Sequence, residues 1–121
     1  MRGVTAGYIQ NTPNEILVID LTKNLGKYAL NKYREYLDPT ISYSDPNHIG
    51  VYFETRKNGI VGTCRRIPRI INYNLTKVNC LDKSHLIELV SHEVAHLIFD
   101  GHRKEWKNVY ESLFNHVLEG L

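Results

Sequence analysis

The sequence predicts an α+β fold in which a small three-stranded antiparallel sheet packs against three helices. Apolar residues recur at helical spacing near both ends of the chain, whereas the segment from 49 to 73 is β-branched, aromatic and broken by turn residues. Three short strands need cover on at least one face, and helices are the elements left to supply it. A length of 121 residues suits one core, so we expect residues 1–121 to form a single domain.

The N-terminal part of the chain predicts one long helix. Residues 1–11 are expected to be poorly ordered. Residues 12–15 read Thr-Pro-Asn-Glu, a capping box with proline at the first helical position. Leucines and tyrosines follow at spacings near three to five, which predicts a helix reaching about residue 37, before Pro39. An alternative is a short strand at 16–19 before a shorter helix, because that run is β-branched.

The middle of the chain predicts three strands. Residues 49–55 and 60–66 flank the sequence Lys-Asn-Gly at 57–59, which is a strong hairpin signal. Residues 69–73 form a third candidate strand. We expect it at the edge of the sheet, beside the helix that follows, where an extended peptide could add to it.

Two helices are predicted in the last third. Asp82 is a candidate N-cap for a helix with a broad apolar surface, and Gly101 would end that helix in a left-handed conformation. Residues 103–118 are strongly amphipathic and predict the final helix.

Composition excludes few classes of protein. A formal net charge of +2 is too small to argue for nucleic acid. We find neither a secretory signal nor an apolar run of about 20 residues, so we expect a cytoplasmic protein without membrane partners. Cys64 and Cys80 could pair, but two cysteines do not make a disulfide framework.

The most specific pattern is His-Glu-x-x-His at 92–96. Two histidines four residues apart lie on one face of a helix, so His92 and His96 can reach a single metal ion. Glu93 is placed to take a proton from a metal-bound water as general base. Zinc is the expected metal, because it tolerates imidazole ligands and keeps a position open for water in hydrolases. The pattern predicts metal-assisted hydrolysis, most simply of a peptide bond.

The third metal ligand is open on spacing alone. His102 is favoured because Gly101 lets the chain turn back toward the metal. The alternatives are three downstream glutamates, Glu105, Glu111 and Glu119. His85 lies on the same helical face as His92 and is a candidate for contacting substrate, although a solvated histidine is the commoner reading. Tyr73 or Tyr110 could stabilise an oxyanion, although core or rim positions are commoner for tyrosine.

Four segments resemble the SprT-like, or Spartan-related, zinc metallopeptidases. They are Gly-Thr-Cys-Arg-Arg at 62–66, Ile-Ile-Asn-Tyr-Asn-Leu at 70–75, His-Glu-Val-Ala-His-Leu at 92–97 and Gly-His-Arg-Lys-Glu-Trp at 101–106. The resemblance implies a zincin-like fold, zinc bound by His92, His96 and His102, Glu93 as catalytic acid and base, and proteolysis. Family members often carry a C-terminal zinc ribbon, and we expect this domain to lack it.

The predicted function is therefore that of a zinc metalloendopeptidase acting on a protein or peptide. The alternative is a non-catalytic or regulatory zinc-binding module. Nucleic acid, DNA in particular, is a second candidate partner, because five basic residues crowd into 56–69 without an acid between them. The commoner reading of that cluster is the solvated face of a hairpin.

Overall fold

The computed structural model describes residues 2–3, 11–42, 45–55 and 59–120, with residues 2 and 3 described by their backbone only. The strands are β1 (Arg2–Gly3), β2 (Gly50–Glu54), β3 (Gly62–Arg66) and β4 (Arg69–Asn74). The helices are α1 (Pro13–Lys32), α2 (Leu75–Cys80), α3 (Lys83–Ala95) and α4 (Lys104–Glu119). The α+β class is confirmed.

The sheet is mixed, and the prediction of an antiparallel sheet is wrong. Its strand order is β1-β2-β4-β3, with β2 parallel to β4 and the other two pairings antiparallel. The predicted hairpin between 49–55 and 60–66 does not form, because β4 lies between these strands. Residues 57 and 58 of its expected turn lie outside the described part of the chain.

Burial explains this strand order. Strand β4 carries Ile71 and Tyr73, both with no solvent exposure, so the sheet is most stable with β4 in the middle. Strand β3 ends in two exposed arginines and is suited to an edge, where charged side chains remain hydrated. The expectation that 69–73 would be the edge strand is therefore wrong, and β3 occupies that position beside α3.

Helices α1 and α3 cover one face of the sheet. Val51 and Phe53 of β2 lie beside Ile71 and Tyr73 of β4 in register, and these side chains join the helices in one core. The Tyr73 hydroxyl is buried there and lies 2.8 Å from the Thr22 hydroxyl of α1, so both polar groups are hydrogen bonded.

The predicted start of helix α1 is confirmed, whereas its predicted end is wrong. The Thr12 hydroxyl accepts a hydrogen bond from the Glu15 backbone N–H at 3.2 Å, as a capping box requires. Helix α1 ends at Lys32 and is followed by a 3-10 turn at Arg34–Tyr36, so the continuous helix to residue 37 is wrong. The alternative strand at 16–19 is not formed.

Helix α2 was not predicted. Its six residues are too few to show a helical period, and its start is set by the Asn74 side chain, which accepts from two backbone N–H groups of the first turn.

Residues 2 and 3 pair with β2, and most of the remaining segment up to residue 11 lies outside the described residues. Among the described residues, no helix combines the length and apolar character that crossing a bilayer requires.

Candidate metal centre

The end of α3 and the loop after it carry three histidines. The Asp82 side chain caps α3 as predicted, accepting from the His85 backbone N–H at 3.0 Å. The helix ends at Ala95, and His96 is its C-cap, so Gly101 does not cap the helix as expected. Gly101 does adopt a positive φ of 72°, and this left-handed turn precedes His102.

The three imidazoles converge on one point. The Nε2 atom of His96 lies 3.3 Å from that of His92 and 3.2 Å from that of His102, and the last two Nε2 atoms are 3.2 Å apart. Three nitrogens bound tetrahedrally to zinc at about 2.0–2.1 Å would be separated by about 3.3–3.4 Å. The histidines therefore form a cluster that could hold a metal ion, and its nitrogen spacing fits zinc.

The protonation of the cluster also suits a metal. The Nδ1 atom of His96 lies 3.1 Å from the Phe99 carbonyl oxygen, so this nitrogen carries the proton and leaves a lone pair on Nε2. Burial lowers the pKa of His92 to about 4, assisted by repulsion from the other two histidines. Burial also lowers the pKa of His96. Neutral imidazoles at pH 7 are the form that binds a metal.

Trp106 of α4 supports all three rings. Its indole ring stacks on His96 at 5.2 Å between centroids and meets the rings of His92 and His102 nearly edge-on. Its N–H donates to the His92 carbonyl at 3.3 Å. Tyr110, one turn later, also stacks on Trp106, at 5.3 Å between centroids. Trp106 is an apolar position of the last helix and also ends the segment 101–106 that resembles the SprT-like family, which was the signal for this role.

Glu93 is buried directly beside the histidines. Its side chain is 5% exposed, and burial raises its pKa to about 7. Strand β3 passes close to its carboxylate, and a Cβ atom added to Gly62 would lie 2.9 Å from Glu93 Oε2. The absence of a side chain at Gly62 therefore makes the room that the Glu93 carboxylate occupies. Sequence reasoning gave Gly62 no such role.

Neither cysteine forms a disulfide. Cys64 is partly buried on β3, two residues after Gly62, and Cys80 is exposed at the end of α2. Burial, with a contribution from the Glu93 charge, raises the pKa of the Cys64 thiol to about 12. Cys64 is thus a neutral thiol near Glu93 and is unsuited to act as a nucleophile.

The other residues that the sequence suggested for the site lie outside the histidine cluster and differ in their exposure. The three glutamates considered as third ligand, Glu105, Glu111 and Glu119, are exposed on α4 and lie outside the histidine cluster. Tyr73 cannot reach a substrate, since it is wholly buried, whereas Tyr110 is half-buried beside His92. His85 is exposed, and its Nδ1 atom lies 2.7 Å from the Asp82 carboxylate.

The basic residues of 56–69 do not form one described surface. Arg66 pairs with Asp100 at 2.8 Å and so ties β3 to the loop that carries His102. Arg69 is buried and donates to the Pro46 carbonyl at 2.7 Å. Arg65 is exposed on the opposite face of β3 from Arg66. Residues 56 and 57 lie outside the described part of the chain.

No protein-family model, no curated protein and no solved structure matches this chain.

Proposed function

We propose that this protein is a zinc metallopeptidase of the SprT-like type with a zincin-like fold. The observation that carries the proposal is the convergence of three imidazole Nε2 atoms within 3.3 Å beside the buried carboxylate of Glu93. His92, His96 and His102 would hold the zinc ion, and Glu93 would act as general base. The sequence resemblance and the donor geometry support the same assignment.

The number of ligands favours a catalytic site over a structural one. Within the described ranges, the candidate cluster contains three residues. Structural zinc is almost always held by four protein ligands, whereas catalytic zinc has three and an open position. A buried glutamate next to this position serves no purpose in a structural site. These observations make the non-catalytic zinc module the weaker alternative.

The chemistry follows from the residues around the open position. Bound zinc would act as a Lewis acid and lower the pKa of water to about 7. Glu93 would accept a proton from the attacking water, and the remaining hydroxyl of that water would add to the peptide carbonyl carbon. Glu93 would then give the proton to the leaving amine. The Glu93 carboxylate is buried beside the candidate ligands, so one group can serve both proton transfers. Tyr110 lies beside His92 and would be the phenol that donates to the developing oxyanion.

Strand β3 is the proposed docking edge for the substrate backbone. It is the last strand in the sheet order, and it runs past Glu93 at Gly62. An extended peptide paired with this edge would have its backbone beside the carboxylate. Such pairing demands an unfolded or loosely folded segment, so we infer that flexible proteins are the substrates.

Removing the metal is expected to stop hydrolysis reversibly. The zinc-loaded protein should cleave a loosely folded protein, lose activity with 1,10-phenanthroline, and regain it with zinc but not with magnesium, which prefers oxygen ligands. Gel electrophoresis of the products checks this, with a parallel arm containing single-stranded DNA. Hydrolysis that survives complete zinc removal would contradict the proposal, and cleavage only with DNA would show that nucleic acid is an activator.

Substituting Gly62 with alanine is expected to slow cleavage without removing zinc. The added methyl group would displace the Glu93 carboxylate, and a misplacement of about 1 Å can cost about 100-fold in rate. We therefore expect a 10- to 100-fold lower kcat at unchanged zinc stoichiometry. Gly59→Ala is the matched control, because a Cβ atom there would meet no atom within 4 Å. Equal activity in both variants would show that Gly62 does not position Glu93.

A further inference from the structure

A cleft of about 460 Å³ adjoins the candidate metal centre. Gly62, His92 and Glu93, which belong to the candidate metal centre, are among the residues that line it. It is a continuation of that site, and it extends along α3 toward the start of the helix. Its volume falls within the range of about 300–1,000 Å³ that is usual for ligand pockets.

The walls of this cleft are mostly apolar. Five apolar or aromatic side chains line it. Two precede β3, one is the C-cap of α2, and one each comes from α3 and α4: Ile60, Val61, Leu81, Leu89 and Tyr110. Ile60 is 42% exposed, and the other four are half-buried. Filling the cleft with an apolar group would remove these apolar surfaces from water, which favours binding.

The polar groups of the cleft lie along α3. His85, Glu88 and His92 are spaced one turn apart on this helix and line the cleft together with Leu89. The imidazole of His85 is already hydrogen bonded to Asp82. Glu88 is exposed, so its carboxylate can remain hydrated when the cleft is filled.

We propose that this cleft is a specificity subsite that binds a large aliphatic or aromatic side chain of the substrate, at a residue flanking the cleaved bond. The proposal rests on the proposed peptidase function, since residues of the candidate catalytic centre line part of the cleft. A peptide backbone along β3 passes Gly62 and Val61, which places its neighbouring side chains over the apolar walls. The substrates would thus be flexible segments that contain exposed apolar residues, as loosely folded proteins do.

Cleavage of a peptide library tests the subsite. The zinc-loaded wild-type protein is incubated with peptides from a digested proteome, Glu93→Gln serves as the blank, and the new termini are identified by mass spectrometry. We expect an enrichment of about tenfold for Leu, Ile, Met, Phe or Tyr at one position next to the cleaved bond.

Two variants locate this preference in the cleft. Leu89→Glu and Ile60→Glu each add a carboxylate to the lining of the cleft. Each variant is expected to lower the apolar preference about tenfold and to favour Lys or Arg. Leu118→Glu is the matched control, because Leu118 is 44% exposed near the end of α4 and is not part of the cleft. The zinc stoichiometry of each variant shows whether it has folded. Because Ile60 is exposed, we expect Ile60→Glu to fold even if Leu89→Glu does not.

Each outcome decides between the two proposals. Cleavage by the wild type with no preference, with a preference for charged residues, or with a preference unchanged in both cleft variants would overturn the subsite and leave the peptidase intact. No cleavage by the zinc-loaded wild type would overturn the peptidase, and the subsite with it.

Discussion

Replacing Glu93 with glutamine is expected to lower the rate of peptide hydrolysis by about 10²- to 10⁴-fold, the usual contribution of a general base. The amide has nearly the shape of the carboxylate but cannot accept the proton of the attacking water. Because Glu93 does not belong to the histidine cluster, we expect the zinc stoichiometry to be unchanged. Single-turnover cleavage and metal analysis of the same sample measure the two quantities.

The burial of Glu93 allows this substitution to separate an effect on activity from an effect on stability. The carboxylate is 5% exposed, and its burial is the cause of its raised pKa. A neutral amide at this position buries no charge, so we expect the Tm of the variant to be no lower than that of the wild type. A loss of activity at an unchanged Tm would thus report chemistry and not folding.

The control for Glu93→Gln is the same change at Glu119. This residue is exposed at the end of α4 and was a candidate metal ligand on sequence grounds. The Glu119→Gln variant should keep both full activity and full zinc content. Wild-type rates in Glu93→Gln would exclude this residue as the base, and a loss of zinc in Glu119→Gln would mean that the third ligand is misassigned.

The candidate site could be predicted from the sequence because its information is local. His92, Glu93 and His96 lie within two turns of one helix, where the 3.6-residue period fixes which side chains share a face. His102 follows through a short loop whose turn is set by Gly101. The Nε2 distances agree with the expectation that these three histidines meet.

The sheet could not be predicted in the same way, because strand pairing is not local. The Lys-Asn-Gly signal at 57–59 indicates a turn but not which strands pair. The parallel pairing of β2 with β4 depends on burying Phe53 beside Tyr73 under the helices. This tertiary burial outweighs the local hairpin preference.

The roles of Gly62 and Trp106 at the candidate site were not predicted, also because they depend on contacts between distant parts of the chain. Gly62 acts through its contact with Glu93, and this contact exists only once β3 becomes the edge strand beside α3. Trp106 likewise acts through the packing of α4 against α3. Both roles depend on tertiary contacts, whereas the placement of His92 and His96 depends on helical spacing.

Replacing His96 with alanine is expected to abolish stoichiometric zinc binding. The Nε2 atom of His96 lies within 3.3 Å of both other nitrogens, and its ring is held by the Phe99 carbonyl and by Trp106. Loss of an outer partner of a metal ligand already costs about 10- to 100-fold in affinity. Loss of the ligand itself should therefore cost at least about 100-fold.

Two measurements follow this change in affinity. Trp106 is the one tryptophan of the chain and packs on His96, so its fluorescence should report on zinc binding at the histidine cluster. Titration with zinc should change the emission of the wild type and leave that of His96→Ala nearly constant. Zinc at about 100 times its Kd should also stabilise the wild type by about 2.7 kcal/mol, a gain that the variant lacks.

A control histidine separates the metal site from general effects of substitution. His48 is exposed and is not part of the cluster, so His48→Ala should bind zinc with wild-type affinity. The decisive contrary result is one zinc per chain in the His92→Ala, His96→Ala double variant. That variant keeps only His102 of the cluster, and one histidine could not hold the ion tightly. Zinc retained by the double variant would therefore be bound elsewhere, which would remove the basis of the peptidase assignment.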